Sequence, residues 1–264
     1  MGDSPKPRRK RKPRVALFVT CLADLMRPAV AEASVALLRS TGVEVVVPPE
    51  QTCCGQPGYN SGDYASAAKI AQQVIRTFES YRYVVLPSGS CAGMVIKHYP
   101  RLLEGAWRER ALQLGGRTYE LTCFLRDVAK YKPTPLANTT AVAYHDACAG
   151  LRELGIKTQP RDLLSAAGVK ISELEQSETC CGFGGTFCAK MPGISAKMAD
   201  DKLRDIEDSG ATQVLAGDLG CLLALAGRAR RQGSSLEFRH VAEVLAASSS
   251  ALDDDGIATA KRDS

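Results

Sequence analysis

TCCGQPG, residues 52–58, and TCCGFGG, residues 179–185, are two copies of one motif set 127 residues apart. The same offset carries Cys21, in FVTCLAD, onto Cys148, in YHDACAG. Beyond each pair stands a fourth cysteine, Cys91 in SGSCAGM and Cys221 in GDLGCLL, 130 residues apart. Each half therefore reads Cys, 31 residues, Cys-Cys-Gly, and then a last Cys, with 36 residues between pair and last Cys in the first copy and 39 in the second. Eight of the ten cysteines obey this pattern, and Cys123 and Cys188 fall outside it. A fixed period of this kind marks a duplicated unit, and the fold must be read as two copies of one design.

Outward from the cysteines, short apolar runs alternate with helical patterns. VALFV (15–19), VEVVV (43–47) and YVVLP (83–87) suit buried strands. Between the first two, Pro28 opens a helical pattern that Gly42 closes, and residues 63–80 read as a second helix. The second half repeats the order, with AVAY (141–144) a strand, 159–167 helical, 169–173 a weaker strand and 195–208 helical. TQVLA (212–216) is a strand, 221–231 helical, Leu236–Phe238 a final strand and Val241–Ala247 a final helix. Alternation of this kind predicts an α/β fold with parallel strands joined by right-handed crossovers. We expect two tandem pseudo-symmetric lobes, 15–135 and 136–247, with a basic disordered tail over 1–14 and a second tail over 248–264. Loops at the carboxyl ends of parallel strands share one edge of the sheet, and ligands bind there. Each half places its cysteines just past its strands, so thiols distant in sequence should meet in space.

Charge narrows the function. Seven Lys/Arg and one Asp in residues 1–14 make that segment +6, leaving 27 basic and 28 acidic residues, or −1, elsewhere. The folded part has no excess charge to attract a nucleic acid. No apolar run is long enough to span a membrane, and the leader lacks the apolar core of a secretory signal. We expect a cytoplasmic protein whose cysteines, kept reduced, are ligands or reactive thiols.

Four thiolates from three loops match the ligand count of an iron–sulfur cluster or of a tetrahedral zinc site. Adjacent side chains diverge in both regular structures, so a vicinal pair can face one metal only where the backbone turns sharply. The following Gly55 or Gly182 supplies that turn. Structural zinc is the main alternative, although the short CxxC knuckles typical of zinc are missing. Thiol–disulfide chemistry at the vicinal pairs would leave Cys21, Cys91, Cys148 and Cys221 without a role.

These motifs resemble the cysteine-rich CCG-domain proteins, which include the heterodisulfide reductase B subunit and the iron–sulfur subunit of glycolate oxidase. FVTCLAD, CCGQPGYNSGDY, SGSCAGM, TCCGFGGTF and HVAEVL, spread over residues 15–247, are most similar to the lactate utilization protein A family. The resemblance implies an iron–sulfur redox subunit, with one cluster of the [4Fe–4S] kind per repeat, in a complex that oxidises L-lactate to pyruvate. It implies a ferredoxin-type partner and a third small subunit, and a part in an oxidoreductase complex rather than an enzyme acting alone. The eight patterned cysteines would be the cluster ligands. Members with five cysteines end each copy in CxxC and hold noncubane clusters. Met94 and Ala224 stand at those fifth positions here, which speaks against five-thiolate ligation. The alternatives are a zinc-stabilised, non-catalytic assembly subunit and an iron–sulfur subunit acting on another 2-hydroxy acid or on a heterodisulfide.

Among the remaining candidates, His145 stands three residues before Cys148, where the first copy has Phe18. It is a candidate donor to cluster sulfur or proton relay, with a His satisfying a local carbonyl as the simpler reading. His98 and His240 read as structural, Cys188 as a further possible ligand or a buried bystander, and Cys123 as core on an amphipathic helix. Arg27 and Arg152 lie near the loops where a lactate carboxylate could be held. GFGGT (182–186) lacks the spacing of a phosphate loop, and no ferredoxin-type cysteine run is present.

Overall fold

A computed structural model describes residues 12–137 and 140–249, so nearly all of both expected tails lies outside the described residues. In the first half β1 (Arg14–Leu17), β2 (Glu44–Val46), β3 (Tyr83–Leu86) and β4 (Thr118–Glu120) form a parallel sheet in the order β2-β1-β3-β4. In the second, β5 (Val142–His145), β6 (Ile171–Ser172), β7 (Gln213–Ala216) and β8 (Glu237–His240) pair in the order β6-β5-β7-β8. The duplication read from the cysteines is thus a duplication of topology. Registers agree as well: Ala16 lies opposite Val46 and Val84, and Ala143 opposite Ser172 and Val214.

Strands of a parallel sheet are covered on both faces, and successive side chains serve opposite faces. Val15, Leu17 and Val85 point one way, Ala16, Val84 and Leu86 the other. In the second sheet Val142, Tyr144 and Leu215 share a face, and Ala143 and Val214 take the opposite one. The faces bearing Val15, Leu17 and Val85 and bearing Val142, Tyr144 and Leu215 belong to one continuous apolar core. The lobes are therefore not separate globules. The helix Ala29–Ser40, capped at its start by Pro28 and followed by Gly42 in the left-handed region (φ 82°), packs against the helix Val241–Ala247 of the other repeat.

A second contact joins the lobes at the edge where the cysteines gather. Glycine is required there. A Cβ on Gly89 would lie 2.8 Å from Cα of Gly150, and one on Gly93 would lie 2.5 Å from Oε2 of Glu153. Gly89→Ala forces backbone against backbone, an overpacking that costs about 1–3 kcal/mol. We expect its Tm to fall by roughly 2–12 °C in a thermal melt. An unchanged Tm would show that the lobes separate freely at this point.

The expected elements recur with shifted ends: the final strand is Glu237–His240 rather than Leu236–Phe238. The helix expected around Cys123 is one short turn, Leu121–Cys123, that runs on as a π-helix, Phe124–Val128. Among the described residues no helix is long and apolar enough to cross a membrane.

Candidate functional site

The repeats deliver their cysteines in the same way. Cys21 and Cys148 are the first residues of helices Cys21–Met26 and Cys148–Leu154, which follow β1 and β5. Cys91 and Cys221 are the third residues of helices Gly89–Gly93 and Leu219–Arg231, which follow β3 and β7. The vicinal pairs sit in loops that turn at Gly55 and Gly182, both at φ 82°. At Gly182 a side chain is excluded by space as well, since a Cβ would stand 2.6 Å from the carbonyl oxygen of Ser195. The second lobe also helps to cap a helix of the first. Ser88 is the N-cap of the helix bearing Cys91 and accepts the Cys91 N–H at 3.2 Å. Asp218, its counterpart before Cys221, accepts from the Ser88 hydroxyl at 3.2 Å and the Ser90 N–H at 2.9 Å.

The result is one row of four sulfurs in each repeat. Cys21 Sγ lies 3.7 Å from Cys53 Sγ, and Cys54 Sγ lies 3.3 Å from Cys91 Sγ. Cys53 and Cys54, vicinal in sequence, lie close enough for each thiol to shift the ionisation of the other. In the second repeat Cys148 Sγ lies 3.7 Å from Cys180 Sγ, and Cys181 Sγ lies within 4.8 Å of Cys221 Sγ. The N–H groups of Gly55 and Gly182 donate to Cys53 Sγ and Cys180 Sγ, each at 3.4 Å. All eight patterned cysteines are brought together, four and four.

These rows can hold little negative charge by themselves. The hydrogen bonds from the Cys21 and Cys148 thiols hold Cys53 and Cys180 far below the usual thiol range. The same hydrogen bonds, with burial, push Cys21 and Cys148 far up, and Cys54 and Cys181 rise for the same two reasons. Negative charge is thus favoured on Cys53 and Cys180 and resisted on Cys21, Cys54, Cys148 and Cys181. Ionising the rest costs about 4 kcal/mol per pair at 4 Å near a protein surface. A centre rich in positive charge removes that cost, so the donor set fits a metal ion or an iron–sulfur cluster in each repeat.

His145 closes the second site. It is fully buried at the end of β5, and neither ring nitrogen has a hydrogen-bond partner among the described residues. The local carbonyl expected for a merely structural His is therefore missing. A buried polar atom left unpaired costs about 1–3 kcal/mol. One ring nitrogen and the sulfurs of Cys181 and Cys221 all lie within 4.8 Å of one another. Burial, helped by the nearby Lys202 ammonium, pushes the imidazole pKa down to about 4, so the ring is neutral at pH 7.

The other candidates have partners of their own, although the buried Nε2 of His240 has none among the described residues. His98 joins Tyr59 at 3.2 Å and Glu153 at 3.0 Å, and His240 caps the helix Val241–Ala247 through Nδ1. Arg27, considered for a lactate carboxylate, is held instead by Glu243 at 3.0 Å and the Phe238 carbonyl at 2.9 Å. Arg152 donates to the Glu178 carbonyl, and the Cys188 thiol to the Gly185 carbonyl at 3.1 Å, within its own loop. Cys123, half-buried, donates its N–H to Glu120.

Sequence reasoning missed Glu120, which ends β4 and sits beside Tyr144 and Gly217 between the lobes. Its Oε2 accepts from the Thr122 N–H, the Thr122 hydroxyl and the Cys123 N–H, yet burial outweighs these and pushes its pKa up to about 7. The sign follows. The folded state binds this proton more tightly than the unfolded chain does, so the contribution is complete below about pH 4.5 and is lost as pH rises through 7. The loss amounts to about 3 kcal/mol at most. His145 and His240, held neutral by burial, act in the opposite sense. The expected result is therefore a difference: Glu120→Gln keeps an acceptor at the cap and gains stability relative to wild type between pH 5 and 8. Parallel pH profiles for the two proteins in urea unfolding would contradict it.

The family model for the CCG cysteine-rich domain matches twice, over residues 15–96 and 142–226, one match for each row of sulfurs. A protein of Halalkalibacterium halodurans named lactate utilization protein A is 46% identical over 235 residues, covering 88% of this chain and 96% of the relative. Lactate utilization protein A 2 of Bacillus cereus is 44% identical over 236 residues, covering 88% of this chain and 98% of its own. Among solved structures, a hypothetical protein from Helicobacter pylori superposes with a TM-score of 0.64 at 11% identity. That match covers 92% of this chain and 51% of the longer one, and it speaks to fold alone.

Proposed function

Since the chain belongs to the CCG cysteine-rich domain family, and within it to the lactate utilization protein A proteins, we propose that it is an iron–sulfur electron-carrying subunit of a lactate-oxidising complex. The observation that carries the reading is the pair of equivalent four-sulfur rows, one per repeat. When bound, iron–sulfur clusters of the [4Fe–4S] kind would supply one-electron redox steps, two sites suiting the two electrons that lactate gives up on becoming pyruvate. Cys21, Cys53, Cys54 and Cys91 would hold the first, and Cys148, Cys180, Cys181 and Cys221 the second.

The chain's own contribution is to position, shield and connect. The N–H groups of Gly55 and Gly182 aim at sulfur and favour its negative charge. The helices bearing Cys91 and Cys148 meet at Gly89 and Gly150, which keeps the two sites in neighbouring elements. Exposed apolar side chains flank each site. Leu25 and Met26 are 77% and 62% exposed on the helix that begins at Cys21. Met191 and Ile194 are exposed just past the second Cys-Cys-Gly loop. Such side chains suit docking of partner proteins, which this reading takes to be a ferredoxin-type subunit and a third small subunit. With Arg27 and Arg152 engaged elsewhere, the reading assigns lactate binding to the complex rather than to these residues.

The test is anaerobic purification alone and with the partner subunits, followed by metal and sulfide analysis and addition of L-lactate. Brown protein containing iron and acid-labile sulfide, reduced by lactate only within the complex, is expected. A colourless protein with stoichiometric zinc would establish the assembly role instead.

A further inference from the structure

The two rows of sulfur are related by the repeat, but their surroundings are not. At the end of β1 the first copy presents Phe18, buried and stacked on Phe78 with ring centroids 4.7 Å apart. The equivalent position at the end of β5 is His145, equally buried. An imidazole shut off from water ordinarily finds partners for its ring nitrogens, and those of His145 have none among the described residues. One of them lies instead in a group with Cys181 Sγ and Cys221 Sγ whose members are all within 4.8 Å. Lys202, also buried, is close to the same site and donates to the Gln176 carbonyl and, at 3.1 Å, to Asp205.

We propose that His145 is a ligand of the second centre, its ring nitrogen binding a metal of that centre at the end of the row where Cys181 and Cys221 lie. The second site is then a mixed sulfur–nitrogen site, while the first is all sulfur. Nitrogen and sulfur ligands stand about 2.1 and 2.3 Å from their metal, so donor atoms already gathered within 4.8 Å of one another could serve one centre after local adjustment. A metal–nitrogen bond also gives the orphaned ring nitrogen the partner that the protein withholds. The inference rests on the reading that these rows hold iron, and it adds that the two centres are electronically different. A neutral imidazole brings less negative charge than a thiolate, and histidine ligation raises the potential of an iron–sulfur centre. The second centre is accordingly the more readily reduced of the two, and electrons that reach the first run on to it.

The test uses the full chain, reconstituted anaerobically with ferrous iron and sulfide, and prepared with and without 15N-histidine. Pulsed EPR of the reduced protein should show a strongly coupled nitrogen that changes with the label. It should vanish in His145→Phe, which gives the second copy the residue the first one carries. A redox titration should show two waves in the wild type that converge in the variant. A labelled wild-type protein without a directly bound nitrogen overturns the inference whatever the variant does, and so does a nitrogen signal that survives in His145→Phe. A chain that takes up no iron or sulfide overturns the preceding reading and this one with it. Iron and sulfide without nitrogen overturn this one alone.

Discussion

Cys181→Ser is expected to bind about half the metal of the wild type, Cys54→Ser the same half from the other copy, and the double variant almost none. These two residues are chosen by position. Each is the inner sulfur of its row, linked on one side to its vicinal neighbour and on the other to the last cysteine of the repeat. They are also the deepest of the pairs, Cys54 being 4% and Cys181 1% exposed. Serine fits the space, but its hydroxyl does not ionise near neutral pH, and its hard oxygen is a poor substitute for thiolate on iron or zinc. A three-sulfur remnant then holds a centre of lower charge compensation and an open coordination position. The two rows lie on separate sheets, so the losses should add. Cys123→Ser is the control. That residue lies outside the repeat and contacts Glu120 rather than either row, so its metal content should equal the wild type. Metal analysis after anaerobic reconstitution decides the matter, and undiminished metal in both single variants would remove the vicinal pairs from the ligand set.

Much of the architecture was legible because two independent periodicities agree. The 127-residue recurrence of Cys-Cys-Gly and the alternation of apolar runs with helical patterns both divide the chain at the same place. Pro28 and Gly42 bounded a helix correctly because each acts locally, through its own φ. β4 escaped because three residues, Thr118–Glu120, are too few to show a period, and its order is set by pairing with β3. The left-handed turn at Gly55 and Gly182 was inferable, since a vicinal pair cannot otherwise face one centre. The division of labour within each pair was not. Only coordinates show that Cys53 turns to Cys21 while Cys54 turns to Cys91.

The cross-lobe devices were hidden for a similar reason. Nothing local to Asp218 announces that it accepts from Ser88 and Ser90, or that Gly89 must pass Gly150 without a side chain between them. Such contacts join residues separated by more than 60 positions, and they arise only once both copies are folded and paired. His145 was visible as an asymmetry against Phe18. The absence, among the described residues, of a hydrogen-bond partner for its ring, which turns that asymmetry into chemistry, belongs to the fold.

Removing metal should lower the Tm by at least about 10 °C without dissolving the fold. Each row ties together three separate strand ends, those of β1, β2 and β3 or of β5, β6 and β7, through the helices that follow β1, β3, β5 and β7 and the irregular loops that follow β2 and β6. A ligand that binds only the folded state stabilises it by about 4 kcal/mol when present at a thousand times its dissociation constant. In a protein of this size each kcal/mol moves Tm by roughly 2–4 °C, so even one filled site accounts for the expected fall. Collapse is not expected, because the shared core of Val15, Leu17, Val85, Val142, Tyr144 and Leu215 contains no ligand. The far-ultraviolet circular dichroism of the metal-free protein should stay close to that of the loaded one while its melt moves down. The Cys54→Ser, Cys181→Ser double variant should already melt at the lower temperature and should not respond to a chelator. Equal melting temperatures for loaded and stripped wild-type protein would mean that the sulfurs gather for a reason other than gripping a metal in the native state.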